Sequence, residues 1–151
     1  MISIRHTPVR FIGWFGCLLF LVSMDARSVL AAEDKLDIQL VWGTNGETPK
    51  DATYKPLDEA LVKKLSMFKW KKYFVVSRQD ISVSSAVQKV RLSEQCEIDI
   101  KKVESARYEI NVFGKGKHVL KKTGKITKGG PFVIAGDDDN DCAWFILIRD
   151  R

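Results

Sequence analysis

The stretch that most limits the possible folds is the last one, Cys142–Arg149, which reads CAWFILIR. Successive side chains of an extended strand point to opposite faces of a sheet. One face would carry Trp144 and Ile146, and the other Phe145 and Leu147, so both faces are apolar. Such a strand is normally central and covered on both sides. We therefore expect it between two neighbours, with a helix over one face or a second sheet layer behind it.

A helix that runs directly into a strand is predicted within Tyr54–Ser77. Apolar residues recur every three or four positions from Leu57 to Phe68, which gives one apolar helix face. Pro56 suits the first turn, because the missing N–H costs nothing there. After Phe68 the apolar period falls from about 3.6 to 2, which indicates a strand whose apolar face is interrupted at Lys72.

Shorter alternating stretches predict the remaining strands. They are Leu36–Trp42, Ile81–Val83, Val87–Leu92, Cys96–Lys101, Arg107–Phe113, His118–Thr123 and Phe132–Ala135. Turn-forming residues separate them, with a break at Gln79–Asp80 and a hairpin turn at Gly114–Lys117. The expected fold is α+β: mainly an antiparallel β-sandwich or partly open barrel, with one N-terminal helix packed on it.

The amino-terminal segment has the pattern of a secretory signal peptide. Arg5 and Arg10 precede an apolar run of 14 residues, 11–24, and small residues follow it. Cleavage is expected after Ala31 or Ala32. The run is short for a membrane-spanning helix, which needs about 20 residues. We expect an exported protein, periplasmic or extracellular, with no transmembrane segment in its mature chain.

Residues 32–151 are expected to form a single β-rich globular domain. The whole chain has 25 basic and 19 acidic residues, a net charge of +6. Removal of the signal peptide takes away three arginines and one aspartate, which leaves 22 basic and 18 acidic residues, or +4. This mild excess gives no evidence for nucleic acid, which an exported protein seldom meets, and we expect no nucleic-acid partner.

Two cysteines remain in this domain, Cys96 and Cys142. An oxidising compartment permits a disulfide between them. Each cysteine opens a predicted strand, and neighbouring antiparallel strands begin at opposite ends of a sheet. A disulfide is therefore slightly disfavoured. It stays possible if the two strands are parallel neighbours or face each other across two layers.

Residues 32–151 contain none of the usual catalytic signatures. His118 is their one histidine, which argues against most zinc sites and against Ser–His or Cys–His catalysis. The GxSxG, HExxH and paired-cysteine metal motifs do not occur. Between its flanking lysines, His118 is interpreted as a surface residue.

An acidic turn near the end of the chain is the one candidate metal site. Asp137, Asp139 and Asp141 have the alternating spacing of the first ligands of a calcium loop. The full pattern fails, because Cys142 replaces the required glycine and Ile148 the bidentate glutamate. The two interpretations are a solvated turn and a loose calcium site. No other cofactor is expected.

Two groups of lysines form the candidate binding surface. They are Lys69, Lys71 and Lys72 after the helix, and Lys115, Lys117, Lys121, Lys122, Lys125 and Lys128 along the later hairpin. Such lysines would attract an anionic partner, for example a cell-wall polymer, a lipid head group or an acidic protein. Lysines on an edge strand also prevent edge-to-edge aggregation, which is the alternative interpretation.

Three tryptophans, Trp42, Trp70 and Trp144, are the residues that would stack on a sugar ring. All three fall on predicted core faces. Core packing is therefore the favoured interpretation, and a sugar-stacking platform is the alternative.

Three segments carry a resemblance to known proteins: FKWKKYFVVSRQ from Phe68, GKGKHVLKKT from Gly114 and AWFILI from Ala143. Between Leu57 and Ile148 the chain resembles a group of small exported bacterial proteins of unassigned function, found in envelope-rich lineages such as verrucomicrobia and planctomycetes. The resemblance implies a free-standing exported domain. It implies no catalytic residue, substrate or cofactor.

Two functions from different classes follow. The leading hypothesis is an exported, non-enzymatic binding or envelope-assembly module, which contacts an anionic envelope component or another exported protein through the lysines. The alternative is a small metal-assisted hydrolase or calcium-binding domain that uses the acidic turn, because carboxylates do acid–base chemistry without histidine.

Overall fold

Nine strands and one short helix make up the described part of the chain, which in this computed structural model is residues 33–46, 48–49, 53–138 and 141–151. The elements are β1 (Asp34–Thr44), β2 (Lys55–Pro56), α1 (Glu59–Lys64), β3 (Lys72–Val83), β4 (Gln88–Arg91), β5 (Cys96–Glu104), β6 (Arg107–Gly114), β7 (Lys117–Lys125), β8 (Phe132–Asp138) and β9 (Cys142–Asp150). The predicted signal peptide lies outside the described residues.

The strands form two sheets, of order β2-β3-β1-β9-β8 and β4-β5-β6-β7, in which every pairing is antiparallel. We call them the five-stranded and the four-stranded sheet. The two sheets pack face to face, and the segment around α1 covers the other face of the five-stranded sheet. The predicted α+β fold, dominated by an antiparallel β-sandwich, is confirmed.

Strand β9 is central, as its two apolar faces predict. It lies between β1 and β8. Ile146 and Ile148 point into the core between the sheets, whereas Phe145 and Leu147 point into the core under the helix. All four side chains are fully buried. Burial on both faces explains why this strand lacks the polar residues that alternate elsewhere.

The helix is shorter than its periodicity predicts. Asp58 caps it, with Oδ1 accepting a hydrogen bond from the Ala60 amide at 2.9 Å. Pro56 lies before the helix, in β2, where it pairs with β3. After Lys64 the chain turns, and Phe68 packs its ring edge-on against Phe145, with centroids 5.0 Å apart. The apolar spacing therefore continues past the end of the helix because Phe68 joins the same core from a turn.

The predicted break at Gln79–Asp80 is wrong. Both residues lie within β3, opposite Ile38 and Asp37 of β1. Their polar side chains have partners in place, since Gln79 donates to the Arg91 carbonyl and Asp80 pairs with Arg151. Polar residues with such partners fit inside a strand, so the sequence marks no turn here.

The predicted hairpin turn at Gly114–Lys117 is confirmed. Lys115 and Gly116 both have positive φ, 50° and 74°, which is the backbone of a tight hairpin turn. The turn places β7 at the edge of the four-stranded sheet. No helix in the described part of the chain is long and apolar enough to cross a membrane.

Candidate functional site

A cleft of about 860 Å³ opens between the two sheets, at the end where β1 stops and β9 starts. Aromatic and aliphatic side chains dominate its lining, which includes Leu40, Trp42, Tyr54, Val76, Val112, Val119 and Trp144. Small-molecule sites typically have volumes of about 300–1,000 Å³ and linings of this kind. The cleft is therefore the candidate binding site.

The sandwich is closed at its other end by a polar cross-link between the sheets. Asp34 of β1 accepts hydrogen bonds from Tyr108 Oη and from Lys102 Nζ, the latter at 2.7 Å. The hydrogen bonds from Lys102 and Tyr108 lower the pKa of Asp34 despite its partial burial. Burial and the neighbouring Asp34 charge raise the pKa of Tyr108, which stays protonated. This cross-link ties the sheets together far from the cleft.

One edge of the sandwich is also fastened. Ser77 Oγ and Gln79 Nε2 of β3 donate hydrogen bonds to the backbone carbonyls of Leu92 and Arg91, at the end of β4. Polar contacts thus fasten the two sheets to each other at the far end and along this edge.

Two tryptophans lie side by side in the cleft. Trp42 of β1 and Trp144 of β9 are directly opposite each other in the register, and both are half-buried. Trp70 is buried in the core on the helix side of the same sheet. The three tryptophans therefore do not form one platform, but two of them form an aromatic wall.

The indole of Trp144 packs closely against Gly136 on the neighbouring strand β8. A Cβ atom at that position would come within 2.2 Å of Trp144 Cζ2. Glycine is therefore required for the close approach of the ring. By holding the ring against β8, Gly136 fixes the orientation of this part of the cleft wall.

We expect Gly136→Val to displace the Trp144 ring and to destabilise the protein by about 2 kcal/mol, the usual cost of overpacking. Tryptophan emission should shift to longer wavelength as the ring becomes more exposed, and urea unfolding measures the stability. Gly46→Val is the matched control, because the nearest side-chain atom to a Cβ there is 3.5 Å away. Equal effects of the two changes would contradict this role of Gly136.

Polar groups surround the mouth of the cleft. Ser93, Glu94 and Gln95 lie on the β4–β5 turn, Lys115 on the β6–β7 turn and Asp138 at the end of β8. Three turns thus bring donors and acceptors to a mostly apolar cavity, the combination that orients a ligand.

The predicted lysine surface divides between different parts of the fold. Lys69, Lys71 and Lys72 precede or begin β3, and Lys115 and Lys117 flank the β6–β7 turn, so these five lie at the cleft end of the sandwich. Lys69 contacts Asp141 at 3.5 Å and lies 4.5 Å above the ring of Trp70. Lys72 Nζ donates to the Gly46 carbonyl at 2.9 Å.

The other four lysines lie away from the cleft. On the outer face of the four-stranded sheet, Lys121 pairs with Glu109 at 2.8 Å and Lys101 with the same carboxylate at 3.2 Å. These two lysines lower the pKa of Glu109. Lys122 lies opposite Ile110 and Lys125 opposite Arg107, both on the edge strand β7. Lys128 lines a separate pocket at the far end of the sandwich.

The acidic turn follows β8 at the cleft end. Asp137 lies in β8 and Asp141 opens the return to β9 with a positive φ of 55°. Asp139 lies outside the described residues. Among the residues that are described, no three His, Cys, Asp or Glu side chains are grouped to hold a metal ion. The calcium site stays a prediction.

The two cysteines belong to different sheets. Cys96 opens β5 and lines the cleft, where burial raises the pKa of its thiol. Cys142 opens β9 and is buried, with its Sγ 3.7 Å from Thr44 Oγ1. The two cysteines do not form a disulfide with each other. The strands that carry them are not sheet neighbours, so the antiparallel argument from the sequence does not describe their arrangement.

Sequence reasoning missed the cleft because Trp42 and Trp144 alternate like core residues. The available sequence signal for the cleft was Gly136, since a glycine inside a strand often marks a place where another group packs closely against the strand backbone. It also missed the buried Asp37, which lies at an apparently exposed position of β1. The only sequence signal for Asp37 is the later Arg149, a single arginine at the end of an otherwise apolar strand.

No family model, curated protein or solved structure matches the chain. The resemblance to exported bacterial proteins therefore stays a prediction.

Proposed function

We propose that the protein is an exported, non-enzymatic binding module of the cell envelope, and that its cleft takes a small ligand with a flat apolar face. A sugar ring and an aromatic ring both have such a face. The paired, half-buried indoles of Trp42 and Trp144 carry this proposal. Aromatic side chains supply a large contact area with little loss of conformational freedom.

The open end of the sandwich supports binding rather than simple packing. Fully packed interiors leave few voids larger than a water molecule, whereas the cleft measures about 860 Å³. The polar groups at its mouth supply hydrogen bonds to the edge of a bound ring. Export rests on the pattern of the amino-terminal segment.

The lysines at the cleft end favour a ligand attached to a negatively charged envelope component. Lys115 belongs to the cleft lining, and Lys71 and Lys117 are exposed at the same end. Their attraction acts over a screening length of about 10 Å at 0.1 M salt. Binding of an anionic ligand should therefore weaken as salt rises, whereas binding of a neutral sugar should not.

We expect Trp144→Ala and Trp42→Ala each to weaken ligand binding about tenfold, because a lost ring-stacking contact is worth one to a few kcal/mol. The probes are cellobiose and the disaccharide of N-acetylglucosamine as sugars, and 1-anilinonaphthalene-8-sulfonate as an aromatic anion. Tryptophan or probe fluorescence reports binding, at low and at high salt.

Trp70→Phe is the control, because Trp70 lies in the helix-side core and not in the cleft. The Trp70→Phe variant should bind each probe as tightly as the unchanged protein does. Urea unfolding of each variant establishes that the folded state persists. The assignment of the cleft would be overturned if no probe bound saturably. It would also be overturned if the Trp70 and Trp144 variants lost equal amounts of probe binding.

A further inference from the structure

A second pocket lies at the end of the sandwich opposite the cleft. Its volume is about 280 Å³, which suits a small ion better than a drug-sized ligand. It is lined by Asp37, Arg78, Thr127, Lys128, Gly130, Arg149, Asp150 and Arg151. Four of these eight residues are cationic, in a protein whose charges are otherwise mixed.

A buried carboxylate positions two of the arginines. Asp37 is only 3% exposed. Its Oδ1 accepts from Arg78 Nε at 2.8 Å, and its Oδ2 accepts from Arg149 Nε at 3.0 Å and from Arg149 Nη2. Gln39 Nε2 also donates to Oδ2, at 3.0 Å. One carboxylate thus fixes the planes of two guanidinium groups before any ligand binds.

The arginines keep donors for a ligand. A guanidinium has five N–H donors, and the bonds to Asp37 use only Nε of Arg78, and Nε and Nη2 of Arg149. The two side chains are 54% and 32% exposed, so their remaining N–H groups reach the open pocket. Two pre-oriented guanidinium groups at one pocket are suited to oxygen-rich anions.

The remaining charges leave the pocket positive. Arg151 is paired with Asp80 at 2.6 Å, whereas Lys128 has no ion pair among the described residues. Asp150 is the one further carboxylate in the lining. Asp37 offsets one of the two arginine charges beside it and Asp150 offsets a second charge, so a net charge of about +1 remains for a ligand.

We propose that this pocket binds a phosphate group. A phosphate presents three or more oxygens, which is enough to bond both guanidinium groups and the Lys128 ammonium together. A carboxylate has two oxygens and one charge, and so satisfies fewer of these donors. The phosphate belongs either to a free phosphate monoester or to a phospholipid head group, which present the same chemistry.

The test titrates the protein with inorganic phosphate at constant ionic strength and follows the Nε–Hε NMR signals of Arg78 and Arg149. We expect saturation near 1 mM, a binding free energy of about −4 kcal/mol. Arg78→Gln should weaken binding about tenfold, and Lys128→Gln about fivefold, since each removes a charged hydrogen bond. Acetate should bind more weakly than phosphate.

Arg91→Gln and Lys125→Gln are the matched controls, because they remove the same charges from exposed positions outside the pocket. Neither should change phosphate binding. Lys128 is exposed and takes no part in the Asp37 network, so its variant remains informative even if Arg78→Gln impairs folding.

Sedimentation with vesicles that contain phosphatidic acid distinguishes the two sources. Vesicle binding lost in Lys128→Gln but kept in Lys125→Gln assigns the phosphate to a lipid, and phosphate binding without vesicle binding assigns it to a soluble monoester. Two results would overturn the proposal. One is equal weakening of phosphate binding by all four substitutions. The other is no saturation up to about 50 mM phosphate, which is more than tenfold above the expected dissociation constant.

Discussion

Replacement of Phe145 by alanine is expected to remove about 4 kcal/mol from the free energy of unfolding, within the range for a buried phenylalanine. Phe145 is fully buried on the central strand β9. Its ring contacts Phe68 and Tyr73 edge-on, with centroids 5.0 and 5.4 Å away. The substitution therefore removes both the contacts and the burial that hold the α1 segment on the sheet. The total free energy of unfolding of a domain of this size is only about 5–15 kcal/mol.

Urea unfolding followed by circular dichroism measures this loss. Met67→Ala is the control, because Met67 is 83% exposed in the turn after the helix and should change stability by less than about 0.5 kcal/mol. A loss below about 1.5 kcal/mol for the Phe145 variant would mean that the α1 segment repacks over the gap. On the helix-side face of β9 the neighbours of Phe145 are Ala143 and Leu147, neither of which carries a ring.

The importance of Phe145 follows from a feature that the sequence reveals well. A strand with apolar residues on both faces has to be central, and no local interaction competes with that requirement. The central position of β9, covered by a helix or by a second sheet layer, was accordingly predictable, whereas the identity of its neighbours β1 and β8 was not. The Lys115–Gly116 turn was predictable for a similar reason, because few residue pairs accept its backbone conformation.

The length of the helix was not predictable from the same periodicity. Leu57, Leu61 and Leu65 are buried as the pattern requires, but only the middle of the segment is helical. The Leu57 amide donates to the Tyr73 carbonyl at 2.9 Å, so pairing with β3 holds the chain extended before the helix. Local periodicity contains no information about that long-range bond.

The cleft was hidden because alternation identifies which face a residue takes, and not how far the opposite sheet lies from it. Ile38 and Trp42 alternate on the same face of β1, yet Ile38 is fully buried in the core whereas Trp42 lines the cleft. Cross-links between the sheets lie at the Ile38 end of β1, where Asp34 contacts Tyr108 and Lys102. The partners in these cross-links, such as Asp34 and Tyr108, are 74 residues apart in sequence.

Replacement of Asp37 by asparagine is expected to cost about 3 kcal/mol at pH 7, because it leaves two arginines without the carboxylate that neutralises them. Burial by itself raises the pKa of Asp37, but hydrogen bonds from Arg149, Gln39 and Arg78, together with the charge of Arg149, outweigh burial and hold the pKa below its ordinary value. The ionised carboxylate is therefore the form that stabilises the fold.

The pH dependence has a definite sign. A carboxyl group with a lowered pKa in the folded state contributes its stability above the unfolded pKa, about 3.9 for aspartate, and loses it as pH falls through the folded pKa. The stability difference between the unchanged protein and Asp37→Asn should be constant from pH 7 to about 5 and should shrink below about pH 4. Urea unfolding at several pH values measures it.

Glu104→Gln is the matched control, since Glu104 pairs with Arg107 at 3.7 Å on the exposed β5–β6 turn. A surface pair of this kind should contribute less than about 0.5 kcal/mol at any pH. A difference between the unchanged protein and Asp37→Asn that stays the same down to pH 2 would show that the carboxylate charge is not what the two arginines require. The Asp37 network would then hold the end of β9 through packing and hydrogen bonds alone, since the asparagine amide keeps one of the two oxygens as an acceptor.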